Sequence, residues 1–294
     1  MRSGKLDARL IADLIDAGSR EHYADAALYD YEYRRRRADV TFYRGLAKRR
    51  LGGPGRILEL GAGTGRVTVP LARDGHEVVA VDQSPAMLDG LRARIGKLPA
   101  PVADRITPRA GELTTFTVPG KKFALVIAAF NVLEHLYTRG ELDACLRRVA
   151  AHLAPGGAFA FDVQLPDLEW LSRDPAKRWA RTRFTDPTTK RAMFYSTNHD
   201  YDPISQIASI RLYYEPVDGK GPTRIVKLTQ RKYFPAELEA LVAHAGFRVV
   251  ERYGDFFGAP LHPAAESQVV VAELAGRAVS RRKPPIKSRF PTRI

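Results

Sequence analysis

Two hydrophobic periods alternate along most of this chain. Continuous apolar runs stand at 56–60 (RILEL), 76–81 (HEVVAV), 123–129 (FALVIAA) and 158–163 (AFAFDV). Runs of this kind suit parallel strands covered on both faces. Between them, apolar residues recur at helical spacing. Met87, Leu88, Leu91 and Ile95 do so in the segment opened by Ser84–Pro85, and Leu142, Cys145, Leu146, Val149 and Leu153 do so in 141–153. Ser84 is a suitable N-cap with Pro85 at the first helical position. A short strand at 105–109, a helix over 235–245 and strands at 247–252 and 267–274 complete the alternation. The pattern predicts an α/β domain with a mostly parallel, doubly wound, seven-stranded sheet.

Two regions depart from this rhythm. Residues 166–232 hold candidate strands at 191–198, 207–215 and 223–233, with turns at Asp202–Pro203 and 218–221. They predict a small antiparallel β insert. At the other end, residues 6–16 have helical spacing, and residues 39–50 read as a helix entering the domain. Tyr23, Tyr29, Tyr31 and Tyr33 lie between these two helices, as in a flap over a site. The domain plan is therefore a helical cap over 1–50, a main domain over 51–275 with its insert, and a basic, proline-containing tail over 276–294, read as disordered.

The candidate chemistry begins where the first strand ends. Gly61, Gly63 and Gly65 alternate in Glu59-Leu-Gly-Ala-Gly-Thr-Gly65. A strand, a glycine turn and a helix start expose backbone to a nucleotide-like ligand. The dinucleotide fingerprint is G-x-G-x-x-G. Here Arg66 occupies the place of its third glycine, which disfavours a pyrophosphate lying against the helix. The second strand ends in Asp82, positioned to accept hydrogen bonds from both ribose hydroxyls.

The run from Glu59 to Gly65, followed by Val81-Asp82-Gln83-Ser84-Pro-Ala-Met87-Leu88, resembles motif I and its acidic partner in class I S-adenosylmethionine (SAM)-dependent methyltransferases. The pattern is nearest to glycine and amino-sugar N-methyltransferases. The resemblance implies a Rossmann-like fold and SAM as cofactor. It implies cofactor contacts from Arg37 (SAM carboxylate), Glu59, Gly61, Ala62, Gly63, Gly65, Asp82, Gln83 and Met87. It further implies Gly111, Glu112 and Leu113 after the third strand, with Glu112 near the adenine, and Ala129 and Phe130 after the fourth. Phe130-Asn-Val-Leu-Glu134-His135-Leu resembles the segment that carries a histidine near the acceptor amine in amino-sugar enzymes. Two roles stand open for His135, a general base or a structural bond to backbone, and Met87 is equally a core residue.

Composition narrows the reading. Cys145, the one cysteine, excludes an internal disulfide and a cysteine-only metal site. No metal is expected. No apolar run approaches the roughly 20 residues of a membrane helix, the N-terminus has no secretory h-region, and the chain reads as cytoplasmic. The net charge of +14 invites a nucleic-acid reading. Residues 31–50 carry eight Arg/Lys and two acids, and residues 271–294 carry seven and one, so +12 of the charge sits outside the catalytic region. The segment Ala129-Phe-Asn-Val132 lacks the Asn/Asp-Pro-Pro-Tyr/Phe of adenine and glutamine methyltransferases. Nucleic acid is thus disfavoured as substrate. The expected activity is methyl transfer to a small molecule, with an amine in view. The rivals are an RNA or DNA methyltransferase and a non-catalytic SAM-binding module. The acceptor, the number of transfers and homo-oligomerisation stay open.

Overall fold

The computed structural model describes residues 8–120 and 122–276. The chain opens with three helices, α1 (Ala8–Arg20), α2 (Ala26–Tyr33) and α3 (Ala38–Leu51). β1 (Arg56–Leu60), α4 (Thr68–Arg73), β2 (Glu77–Asp82), α5 (Pro85–Ile95), α6 (Ala100–Ala103) and β3 (Ile106–Ala110) follow. β4 (Phe123–Ala128), α7 (Arg139–His152) and β5 (Leu153–Gln164) come next. After α8 (Leu168–Leu171) the chain forms β6 (Trp179–Thr185), β7 (Ala192–Asp202), β8 (Ile207–Pro216) and β9 (Arg224–Arg231). It ends with α9 (Pro235–His244), β10 (Phe247–Tyr253) and β11 (Ser267–Leu274). The expected tail beyond residue 276 lies outside the described residues.

The main sheet has the order β10-β11-β5-β4-β1-β2-β3. β11 runs antiparallel to both its neighbours, and the other pairings are parallel. Alternation along the strands builds two cores. Leu58, Leu60, Val79 and Val126 pack on one face with Leu142, Leu146 and Val149 of α7 and Leu238 and Val242 of α9. Ile57, Val78, Leu125 and Ile127 pack on the other with Tyr43 and Leu46 of α3, Leu71 of α4 and Leu88 and Leu91 of α5. Each such side chain, taken fully out of water, contributes roughly 1.5–3 kcal/mol. Cys145 is buried in the first core, and burial pushes its thiol up to about 12. It is therefore a packing residue.

The insert is one strand larger than its sequence predicts. β6-β7-β8-β9 form a four-stranded antiparallel sheet. β6 escapes the hydrophobic pattern because it is an edge strand of mostly exposed residues, with Arg181 and Arg183 among them. Charges on an edge suppress pairing with other chains. The third core, Ile210, Leu212, Tyr214, Val226 and Leu228, is closed by Leu28 of α2 and Leu171 of α8. α1 lies along β9 so closely that a Cβ on Gly18 would sit 2.5 Å from the Thr229 side chain. The N-terminal segment is thereby anchored to the insert, and α3 to the main sheet.

A buried ion pair joins the two sheets. The Lys232 ammonium donates to Glu134 (2.7 Å), to Gln230 (2.9 Å) and to Gln164, while Glu134 also accepts the Gln164 backbone N–H at 2.7 Å. Both charged groups are buried. Removing one partner of such a pair leaves the other uncompensated. We therefore expect Lys232→Met to lower unfolding free energy by about 3–5 kcal/mol, and Glu134→Gln combined with Lys232→Met to recover much of that loss. Urea unfolding of the three proteins measures this; a single-variant loss below about 1 kcal/mol would show that the pair does not hold the sheets together.

Candidate active site

The site forms at the carboxyl edge of the main sheet, where β1, β2 and β4 end side by side. Such edges are where open α/β sheets receive ligands. After β1, Gly61 (φ +65°), Gly63 (φ +56°) and Gly65 (φ +85°) all adopt left-handed backbone. A Cβ on Gly61 would stand 2.4 Å from Val132, whereas one on Gly63 would meet nothing within 4 Å. Gly61 thus packs against the β4 loop, and Gly63 offers bare backbone to open space. Asp82 shapes the same turn: one carboxylate oxygen accepts the Gly63 N–H at 2.7 Å and the other accepts the Ser84 N–H at 2.8 Å. Burial pushes its carboxyl above the usual range, against the pull of these backbone donors.

A cavity of about 510 Å³ opens beside this turn, within the range usual for small-molecule sites. Its lining brings together Gly61, Gly63, Asp82, Gln83, Gly111, Glu112, Leu113, Ala129, Phe130 and His135. Tyr23 and Tyr29 from the N-terminal segment face them across the cavity. The segment is held there in part by the Ser84 hydroxyl, which donates to the Tyr23 carbonyl at 3.1 Å. Tyr31 turns away, with Arg34 over its ring and Phe184 at 5.8 Å. Tyr33 backs Phe130, ring centroids 4.7 Å apart.

Other expected residues stand outside the lining. Glu59 is buried beneath the turn, where it accepts the Thr68 hydroxyl at 2.5 Å, and burial pushes its carboxyl up to about 7. Ala62 and Met87 are buried, and Gly65 packs against Leu91. Arg37 does not approach the cavity; it is exposed at the N-cap of α3. The chain reverses at residues 34–37, so neighbouring arginines diverge. Arg36 turns toward the Phe130 ring, its guanidinium 4.6 Å from the centroid and its Nε 3.3 Å from Asp39, while Arg20 is the arginine that lines the cavity. Arg66 grips Asp39 with two bonds, 2.8 and 2.6 Å, and also overlies Phe130.

His135 has both ring nitrogens occupied. Tyr23 Oη lies 2.7 Å from Nε2 and Tyr137 Oη 3.2 Å from Nδ1, and Tyr137 continues to Thr229 Oγ1 at 2.8 Å. Burial, reinforced by His22 and Lys232, lowers its pKa to about 4. The imidazole is therefore neutral near pH 7 and able to accept one hydrogen bond. Glu134, the other acid of this segment, is closed off by Lys232 and is not available as a base. Sequence reasoning missed Asp162, whose carboxylate holds the β4 loop. Its signal was an acid set within an otherwise apolar strand. A second cavity of about 630 Å³ lies between the end of β5 and residues 263–266. Its one cation, Lys232, already has three acceptors.

Residues 57–157 match the family model described as a methyltransferase domain. The cypemycin N-terminal methyltransferase of a Streptomyces species is 28% identical over 221 residues, 74% of this chain and 82% of that protein. The CcbJ methyltransferase of Streptomyces caelestis superposes with a TM-score of 0.71 at 26% identity, over 86% of this chain and 98% of that one. The glycopeptide N-methyltransferase MtfA, solved with SAM, has a TM-score of 0.58 at 23% identity, over 92% and 99% of the two chains. The last likeness is one of fold.

The two buried histidines under the N-terminal segment give the protein a predicted acid sensitivity. His22, like His135, is lowered to about 4, chiefly by burial and secondarily by Arg224. Between pH 6.5 and 4 the unfolded chain binds protons at these two sites that the folded chain does not, so the histidine contribution to stability falls as pH falls through that window, while Glu59, held up at about 7, contributes in the opposite sense. The loss from pH 6.5 to 5 should be roughly 2 kcal/mol per histidine. Urea unfolding of the wild type and His22→Gln at the two pH values checks this, with the wild type expected to lose about 2 kcal/mol more than the variant on going from pH 6.5 to 5. An equal change in the two proteins would contradict it.

Proposed function

We propose that this chain, a methyltransferase of the SAM-dependent class, transfers a methyl group to an amine on a small molecule. The observation that carries the cofactor part is Asp82 bridging Gly63 and Ser84 at the mouth of a cavity with bare glycine backbone. Each carboxylate oxygen has a second lone pair, so Asp82 can accept ribose hydroxyls without releasing the turn. Arg66, engaged with Asp39, stands where the dinucleotide fingerprint needs its third glycine. In this reading Gly61 and Gly63 receive the methionine part and Glu112 the adenine. Arg20, which lines the cavity, is the guanidinium placed to serve the carboxylate, with Arg36 behind the Phe130 ring.

Bound SAM would supply a methyl group already activated on a sulfonium. The residues of this chain have less to do than in hydrolysis: they orient, exclude water and take up a proton. Phe130, Tyr23 and Tyr29 give the cavity an aromatic wall, which favours cationic centres such as sulfonium and ammonium. Both nitrogens of neutral His135 are bonded to phenols, so it reaches the acceptor side through Tyr23, whose hydroxyl can take up a proton as it passes its own to His135. The relatives named as N-methyltransferases support the amine. The nucleic-acid alternative draws on the basic residues of 31–50, but Arg36, Arg44 and Arg50 are already paired with Asp39, Asp74 and Glu251. Among the described residues no helix is long and apolar enough to cross a membrane.

Calorimetry with SAM tests the cofactor. Asp82→Ala should weaken binding about tenfold or more, as two hydroxyl partners are lost. Mass spectrometry over a panel of amines and hydroxyl compounds tests the acceptor, with His135→Ala expected to reduce turnover more than SAM affinity. Unchanged affinity in Asp82→Ala would remove the cofactor reading; methylation confined to hydroxyl compounds would remove the amine.

A further inference from the structure

We propose that Asp162 is a positioning residue whose carboxylate sets the shape of the loop after β4, and through it the acceptor-facing wall of the cavity. Phe130 (φ +69°) and Asn131 (φ +61°) are successive non-glycine residues in left-handed backbone. L-residues adopt that conformation as singles and seldom in pairs. Strain of this kind persists where surrounding structure over-determines it. The over-determining group is Asp162. One oxygen accepts the Phe130 N–H at 2.8 Å and the other accepts the Asn131 N–H at 3.2 Å. The first also accepts the Tyr43 hydroxyl at 2.6 Å, which ties the arrangement to α3.

Asp162 is 1% exposed and sits in β5 between Phe161 and Val163, both wholly buried. None of its bonded partners is a cation. A carboxylate in such surroundings is costly, and an apolar residue would serve packing better. What the carboxylate supplies is two charge-assisted acceptors for consecutive backbone donors. The resulting bend turns the Phe130 ring onto the cavity, against Tyr33 and beneath the guanidinium groups of Arg36 and Arg66. It also seats Val132 against Gly61 and starts the turn that carries His135. One buried acid thus governs three parts of the cavity without lining it.

The ligand side of this proposal rests on the SAM-dependent reading; the backbone side does not. The experiment uses the full chain and two readouts. In the first, calorimetry with S-adenosylhomocysteine compares the wild type, Asp162→Asn, and Asp162→Asn combined with Asn131→Gly. Asp162→Asn keeps one acceptor oxygen and should weaken binding at least fivefold. Glycine tolerates positive φ, so Asn131→Gly should recover at least half of that loss in the double variant. A purely structural acid would show a lower melting temperature with affinity unmoved and no recovery. In the second, amide NMR of the ligand-free wild type should show the Phe130 and Asn131 protons protected from exchange and shifted downfield. Fast exchange of both overturns the proposal even if Asp162→Asn fails to fold. Unchanged affinity in Asp162→Asn, or no recovery in the double variant, overturns it as well. A wild type that does not bind S-adenosylhomocysteine contradicts the cofactor reading, and the amide data then decide the role of Asp162.

Discussion

The Asp82 carboxylate is shared between two turns, and the site depends on that sharing. β1 and β2 are parallel neighbours, so their carboxyl ends emerge side by side with backbone N–H groups unsatisfied. Asp82, the last residue of β2, reaches across to Gly63 in the first turn and forward to Ser84 in its own. The glycine turn is thereby held open, and α5 starts with Ser84 as its cap. Without this acid, the left-handed turn would keep the Ala62 N–H bond to Val81 and the Gly65 N–H bond to Ala62 but lose its tie to the start of α5. The group that shapes the cradle also stands at its mouth, so in the proposed function structure and ligand recognition fall on one side chain.

A second pair of acids does comparable work further along the sheet edge. Glu134 and Asp162 are both buried, and each accepts backbone N–H groups from a neighbouring segment. Glu134 has Lys232 as counterion and joins the main sheet to the insert. Asp162 has no cation bonded to it and joins β5 to the loop after β4. The N-terminal segment then closes the space, because α1 is anchored on β9 and α3 on the main sheet. Tyr23 and Tyr29 hang between those two anchors, opposite the glycine turn. The cavity wall opposite the glycine turn is therefore assembled from separated parts of the chain.

Much of this was legible in the sequence, and the reasons are physical. β1, β2, β4 and β11 are buried on both faces, so apolar residues stand at successive positions along them. The glycine turn and Asp82 carry constraints that few other residues satisfy. β6 was missed because an edge strand need not be apolar. Arg37 was singled out by its spacing to Glu59, which counts residues and cannot see the turn before α3 that leaves its side chain exposed. The state of His135 was not legible, since its two phenol partners lie 112 residues before it and two after it. Asp162 was visible only as an acid in an apolar strand, a signal that marks an exception without naming its partners.

In the proposed function the cavity beside Asp82 receives SAM with its ribose on that carboxylate. A crystal structure of the full chain with S-adenosylhomocysteine would show this. Both ribose hydroxyls should stand within hydrogen-bond distance of Asp82, with the homocysteine part over Gly61 and Gly63 and the sulfur facing Phe130 and His135. A ligand bound elsewhere, or one in this cavity with its ribose away from Asp82, would contradict it.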